Sequence, residues 1–318
     1  MPHVLTAAEL PVVELLQRAE SWRRKLTETP RPTVSHKPAL IALLFYEPST
    51  RTRAAFEQAC VLLGYHPLVI TAETSSIAKG ESLQDTVRTL NAQGIQAIVI
   101  RHPQAGAPVQ AAQVSDAPIL NAGDGAHEHP TQALLDLYTL WRHYGKPNPD
   151  TRWLAGRKIA IIGDIRHSRV ARSNLILLTQ AGAEVWLCAP PTLTPDAPLP
   201  NAYITTNADE AVQNADAIMT LRLQTERMQQ GLLPSLNAYR RDYQINLVRL
   251  SRAKPECVVM HPGPIQRGVE ISDEVADSAR SLVLAQVRNG VYVRAAALEY
   301  ALSESRSSEG RHSDADYY

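Results

Sequence analysis

The sequence predicts an α/β protein of two domains, each a parallel sheet flanked by helices, with its active site in the cleft between them. Three observations predict it. Apolar, strand-like runs alternate with amphipathic helical patterns along most of the chain, and that alternation builds parallel sheets covered by helices on both faces. The 318 residues suit two domains of ordinary size better than one. Polar clusters follow the apolar runs one after another, and open parallel sheets bind ligands beyond the carboxyl ends of their strands.

In the first half, apolar runs at 40–45, 67–71, 97–101 and 118–121 read as strands. Helical patterns lie between them at 53–63, 82–93 and 109–114. A longer helix is expected at about 129–144. It ends at Gly145-Lys146-Pro147-Asn148-Pro149, a cluster that stops a helix and suits an inter-domain joint. A second series follows, with strands at 158–162, 184–189, 217–221 and 258–260 and helices at 168–181 and 209–214. The Pro-rich 190–200 stretch is irregular. A last helix begins near Gln286 or Asn289 and ends at Leu302. The expected domains are 1–146, onto which the helix at about 289–302 packs back, and 147–288. Residues 303–318, rich in Ser, Asp, Glu and Arg, are expected to form a disordered tail.

Composition narrows the function. Lys plus Arg and Asp plus Glu both number 32, so nothing favours nucleic acid or an anionic membrane as a bulk partner. No apolar run reaches the roughly 20 residues of a membrane span, and no signal peptide is visible. Cys60, Cys188 and Cys257 are odd in number and far apart. They suit a reducing, cytoplasmic setting rather than a disulfide framework or a metal site.

The most informative segment is Glu47-Pro48-Ser49-Thr50-Arg51-Thr52-Arg53. It joins an apolar strand to a helical pattern, which puts three hydroxyls and two guanidiniums at a helix N-terminus. Unpaired backbone N–H groups and the helix dipole favour an anion there, and arginine adds bidentate contacts to phosphate oxygens. The loop from Ser75 to Glu81 presents Lys79 as a point charge. Arg101-His102-Pro103 puts a guanidinium at a strand end, suited to a carbonyl or a phosphate.

Asn121-Ala122-Gly123-Asp124-Gly125 leads through His127, Glu128 and His129 into a helix. His129 and Gln132, three apart, share a face at its start; the spacing of the histidines matches no metal pattern. Gly163-Asp164-Ile165-Arg166-His167-Ser168 follows a strand as a dinucleotide fingerprint would. Ile165 and Ser168, however, stand where its second and third glycines belong, which argues against a dinucleotide. Arg166 and Arg169 there suit a carboxylate, as do Arg222 and Gln224 on one side of an extended segment. In His261-Pro262-Gly263-Pro264 the two prolines remove donors and leave carbonyls as acceptors. Cations and neutral donors abound and bases are scarce. The expected chemistry is positioning plus oxyanion stabilisation on an acyl or phosphoryl anion, without a covalent intermediate.

Ser49-Thr50-Arg51-Thr52-Arg53, Arg101-His102-Pro103 and His129-Pro130-Thr131-Gln132 together resemble the carbamoyltransferases, over nearly the whole chain to about Leu302. The segments Ser75 to Glu81, Asn121 to Gly125, and Arg222-x-Gln224 are similar to the aspartate carbamoyltransferase catalytic chains. His261-Pro262-Gly263-Pro264 stands where ornithine enzymes carry a His-Cys-Leu-Pro segment. That form, followed by Arg267-Gly268-Val269-Glu270, resembles bacterial catalytic chains that can associate with dihydroorotase.

The resemblance implies transfer of the carbamoyl group of carbamoyl phosphate to L-aspartate, giving N-carbamoyl-L-aspartate and phosphate in pyrimidine synthesis, with no cofactor and no metal. It implies that Ser49, Thr50, Arg51 and Thr52 hold the phosphate. Thr52, Arg101 and His129 polarise the carbamoyl oxygen. Gln132 and the carbonyls of Pro262 and Gly263 take the nitrogens. Arg169, Arg222 and Gln224 hold the carboxylates of aspartate. Ser75 and Lys79 would reach the site from a neighbouring subunit of a homotrimer. Three rivals remain at this point: a carbamoyltransferase for another amine such as ornithine, a non-catalytic scaffold for dihydroorotase, and a dinucleotide-dependent oxidoreductase, which the missing glycines oppose.

Overall fold

The computed structural model describes residues 2–29, 39–72, 76–197, 199–224 and 235–303. Ser75 and the expected tail beyond Ser303 lie outside the described residues; Ser303 itself closes the last helix. Two compact units form: one comprises the chain up to Leu134 and again from Asn289, the other Leu135–Arg288. The division falls inside the helix Pro130–His143, upstream of the Gly145–Pro149 cluster.

The first unit begins with α1 (Val12–Glu28), then β1 (Leu40–Phe45), α2 (Thr50–Leu62), β2 (His66–Thr71), α3 (Leu83–Ala92), β3 (Ala97–His102), α4 (Ala107–Ala112), β4 (Ile119–Asp124) and the start of α5 (Pro130–His143). All strands are parallel, in the order β2-β1-β3-β4. The strands are nearly continuous Ile, Leu, Val and Ala because both faces are covered. One face packs Ala42, Leu44, Ile98 and Ile100 against Val87 and Leu90 of α3 and Ala111 of α4. Each fully buried Leu or Ile contributes roughly 1.5–3 kcal/mol. Helix α3 starts where the Ser82 side chain accepts from the Asp85 N–H and ends before Gly94, whose φ is +79°.

The second unit holds β5 (Lys158–Ile162), α6 (Arg169–Gln180), β6 (Glu184–Cys188), β7 (Ala202–Thr205), α7 (Ala208–Val212), β8 (Ala217–Thr220), α8 (Leu236–Tyr243), α9 (Leu247–Leu250), β9 (Val258–Met260) and α10 (Asp273–Ala276). Its sheet is parallel too, ordered β7-β6-β5-β8-β9. Helix α11 (Val283–Ser303) begins in this unit, and from Asn289 it belongs to the first.

Both sheets reverse direction once. From β1 the chain moves outward to β2 and then crosses to β3 on the other side. From β5 it moves to β6 and β7 and then crosses to β8. Each sheet therefore has one topological switch point, β1/β3 and β5/β8, where crossovers leave in opposite directions and open a crevice at the carboxyl ends.

Two expectations need correction. The strands expected to end at Arg101 and Asn121 run further, to His102 and to Asp124. Val4 pairs with Leu120 on the outer edge of β4, and β3 pairs with β4 through a register shift between Ile100 and His102, so the ladder continues past the apolar run. Helices α1, α8, α9 and α10 and strand β7 were not expected. α1 repeats Leu15, Leu16, Ala19 and Trp22 on its buried face, a helical period that the sequence carries.

Candidate active site

Each switch point gathers part of the expected site. At β1/β3, the chain leaves Phe45 and enters α2 through Ser49, the extended residue before the helix (φ −160°). The Ser49 side chain makes no capping hydrogen bond. Its hydroxyl therefore sits at the positive end of α2 without serving the cap that serine usually provides there. Thr50 and Arg51 are exposed and Thr52 is buried in the first turn. Arg53 turns along the helix instead, pairing with Glu57 at 3.2 Å.

Across the switch point, Arg101 is the penultimate residue of β3. Its Nη1 donates to the Ala122 carbonyl at 3.1 Å, and its Nε lies 3.6 Å from Glu47. These partners fix the guanidinium between the strand ends. His102 next to it is buried and packs at a tilt against Tyr46, with ring centroids 4.4 Å apart. Its Nδ1 accepts the Gln104 N–H at 3.0 Å. Burial lowers its pKa below the usual imidazole range, so His102 is a neutral, structural histidine and does not act as a cation.

The segment into α5 is organised by Asp124, which sequence reasoning passed over. Its buried carboxylate accepts from the N–H groups of Gly106 (2.7 Å) and Glu128 (3.1 Å) and from the Asn121 amide (2.9 Å), and it meets the His127 ring at 2.9 Å. Its place in a Gly-Asp-Gly run was the available signal, since such carboxylates bond nearby backbone. Gly125 (φ +49°) lies so close to the turn after β3 that a Cβ there would come within 2.8 Å of the Ala105 nitrogen. Only glycine lets the Arg101 and His129 segments approach this closely. His129 and Gln132 are both buried, and the Gln132 N–H donates to the His129 carbonyl at 3.0 Å. Gln132 is therefore not a solvated surface residue. His127 and Glu128 are occupied with Asp124 and the Ala7 N–H, and the described residues hold no cluster of three metal-ligating side chains.

At β5/β8, Gly163 has φ +141°, and a Cβ on it would sit 2.5 Å from the Leu221 carbonyl oxygen. This contact brings Asp164 beside the segment that follows β8. Asp164, fully buried, accepts from the His167 N–H (3.2 Å) and ring (2.9 Å) and from the Gln224 N–H (3.4 Å). The Gln224 amide in turn donates to the His167 carbonyl at 3.1 Å. Arg169 opens α6 directly after Ser168, which caps the helix through the Ala171 N–H. Arg222 is partly exposed and bonds the Leu223 carbonyl at 3.2 Å. Arg169 thus lies on the segment that follows β5, and Arg222 and Gln224 on the segment that follows β8. Arg166 points elsewhere, to Asp196 at 2.8 Å.

Pro262 and Gly263 follow β9. His261 before them is buried and bonded at both nitrogens: Nε2 lies 3.0 Å from Glu270, and Nδ1 accepts the Gly263 N–H at 2.7 Å. The ring therefore carries its proton on Nε2 and braces the turn. Neither His261 nor Glu270 was expected to do this. Lys79 is exposed at the end of a short 3-10 turn, Ser76–Lys79.

Two doubly wound parallel units, one with a hydroxyl-rich helix N-terminus and a fixed arginine at its switch point and the other with two arginines and an amide, define a group-transfer protein for anionic substrates. Comparison with known proteins narrows that class. Residues 3–142 match the family model for the aspartate/ornithine carbamoyltransferase carbamoyl-P binding domain, and residues 155–301 match its Asp/Orn binding domain. The chain belongs to the aspartate/ornithine carbamoyltransferase family.

Relatives named aspartate carbamoyltransferase catalytic subunit include one from Roseiflexus sp., 49% identical over 297 residues, covering 92% of this chain and 91% of the relative. Another, from Desulforudis audaxviator, is 46% identical over 301 residues, covering 93% and 96%. Among solved structures, the aspartate transcarbamoylase of Trypanosoma cruzi in complex with carbamoyl aspartate and phosphate has a TM-score of 0.82 at 33% identity, covering 93% of this chain and 94% of that one. The ornithine carbamoyltransferase of Pyrococcus furiosus has a TM-score of 0.83 at 28% identity, covering 95% and 97%.

Proposed function

We propose that this chain is an aspartate carbamoyltransferase, transferring the carbamoyl group of carbamoyl phosphate to the amine of L-aspartate to give N-carbamoyl-L-aspartate and phosphate in pyrimidine synthesis. One observation carries the reading: Ser49 stands before α2 without capping it, at the same switch point as the fixed Arg101. A phosphate there takes the hydroxyls of Ser49, Thr50 and Thr52, the N–H groups of the first turn and the Arg51 guanidinium.

The carbamoyl oxygen faces Thr52, Arg101 and His129, which stabilise the oxyanion that forms when the aspartate nitrogen attacks the carbonyl carbon. Gln132 and the carbonyls of Pro262 and Gly263 receive the N–H groups of the carbamoyl nitrogen and the amine. The C–N bond forms as a tetrahedral intermediate. Its collapse breaks the C–O bond to phosphate, and the departing phosphate accepts the amine proton, so the reaction needs no separate protein base. Arg169, Arg222 and Gln224 hold the two carboxylates of aspartate, which favours a dicarboxylic acceptor over ornithine. Residues 1–146 with the helix at 289–302 serve carbamoyl phosphate, and 147–288 serve aspartate.

The assembly is a homotrimer in which Ser75 and Lys79 complete a neighbour's site. Dihydroorotase is a candidate partner, supported by the sequence from His261 through Glu270. Buried thiols support a cytoplasmic setting: burial pushes Cys60, Cys188 and Cys257 up to about 12, far from thiolate chemistry. Among the described residues no helix is long and apolar enough to cross a membrane.

The test is carbamoylaspartate formation by the purified chain from carbamoyl phosphate and L-aspartate, with L-ornithine as control. Turnover with aspartate alone supports the reading. Turnover with ornithine alone replaces it with the ornithine enzyme. Silence that persists after dihydroorotase is added leaves the scaffold.

A further inference from the structure

Asp136 is a fully buried carboxylate that the proposed reaction does not use. Its Oδ2 accepts from the Asn174 amide at 2.8 Å, and its Oδ1 accepts from the Gln286 amide at 2.7 Å. Gln286 is bonded at both ends, because its Oε1 accepts the His261 N–H at 2.9 Å. Asn174, Gln286 and His261 are all buried. Asn174 belongs to α6, the helix that Arg169 begins, and also donates to the Val170 carbonyl at 3.1 Å. His261 immediately precedes Pro262 and Gly263, and its ring holds the Gly263 N–H. One carboxylate thus anchors, through two amide arms, the helix bearing an expected aspartate ligand and the turn bearing the expected nitrogen-binding carbonyls.

Packing alone gives no reason for this arrangement. A buried carboxylate loses several kcal/mol of hydration, and apolar replacements of similar volume are often as stable. What a bonded carboxylate adds is direction, since each arm has one geometry that satisfies it. We propose that Asp136 is a positioning residue that sets Arg169 through Asn174 and sets the Pro262–Gly263 carbonyls through Gln286 and His261. The proposal rests on the carbamoyltransferase reading for its kinetic consequences only; the hydrogen-bonded anchor is testable without turnover.

The two arms predict different defects. Asn174→Ala cuts the arm to α6 and raises KM for aspartate about tenfold, with KM for carbamoyl phosphate unchanged; misplacement on the ångström scale carries effects of that size or larger. Gln286→Met cuts the arm to the turn and lowers kcat about tenfold, leaving KM for aspartate near wild type. Asp136→Leu, which removes both acceptors, combines both defects. Hydrogen exchange gives the readout that needs no activity: the His261 amide exchanges faster in Gln286→Met and not in Asn174→Ala. Variants that lower Tm but keep wild-type kcat and both KM values, or a His261 amide indifferent to Gln286→Met, overturn the proposal. An inactive wild-type chain would remove the enzymatic reading, while the exchange data still decide whether the anchor exists.

Discussion

The Ala7 backbone N–H donates to the Glu128 carboxylate at 2.7 Å, joining residues 121 apart in the sequence immediately before His129. The N-terminal segment does more along the same edge. Val4 exchanges backbone bonds with Ile119 and Asn121, the Leu5 carbonyl accepts from the Asn121 amide at 3.0 Å, and the Ile119 N–H donates to His3 Nδ1 at 3.0 Å. The first residues of the chain thereby brace the strand that leads into the site. Glu128→Ala leaves the fully buried Ala7 N–H without this acceptor and should cost about 1–3 kcal/mol. Glu128→Gln retains an oxygen and should lose less. Urea denaturation of both variants, with kcat measured beside it, checks the order.

Arg101 and His129 are expected to act on the carbamoyl oxygen. Removal of one oxyanion donor costs about a hundred- to a thousandfold in kcat, so Arg101→Ala and His129→Ala should each fall in that range. Steady-state kinetics with an unchanged kcat for either would remove that residue from the mechanism.

Lys79 is exposed in its own chain, so a role confined to one chain gives no reason for a large effect. Lys79→Ala should abolish turnover without unfolding the protein. Full activity in that variant would sink the shared site. A mixture of Lys79→Ala and His129→Ala chains, refolded together, should regain activity only if neighbouring subunits complete one another.

Gly163→Ala puts a methyl group against the Leu221 carbonyl at 2.5 Å, in backbone with φ +141°. Strain and overpacking together should cost about 1–3 kcal/mol or more. Because the carbonyl precedes Arg222 and Gln224, KM for aspartate should rise more than KM for carbamoyl phosphate. Equal changes in the two constants would mean that the contact serves stability alone.

Burial lowers the His102 pKa, more than the nearby carboxylates of Glu47 and Asp124 raise it. The folded state therefore binds its proton less readily than the unfolded chain, whose imidazole titrates near 6.5. The associated stability is complete above about pH 6.5 and is lost as pH falls toward the lower folded value. His3 and His143 are lowered by burial as well and act with the same sign. Urea midpoints from about pH 7.5 to about pH 5 should fall less steeply in His102→Asn than in wild type. Parallel slopes would assign the effect to the other histidines.

Local pattern determined much of this protein. The strands at β1, β5 and β9 were legible to the residue, because a strand buried on both faces must be a continuous apolar run. The helix start at Ser49 to Thr52 was legible because a helix N-terminus and its side chains are neighbours in sequence. Edge strand β7 escaped notice because it is four residues long and partly exposed. Helices α8 to α10 escaped because they are short, although Ser235, Asn246 and Ser272 cap them.

Tertiary structure alone decided which groups brace the segments that carry the expected site residues. Gly163 must be glycine because Leu221 lies against it. Glu128 serves Ala7, and Asp136 serves Asn174 and Gln286. A buried carboxylate takes whatever donor the fold brings within about 3 Å, and no periodicity in the chain records which one that will be.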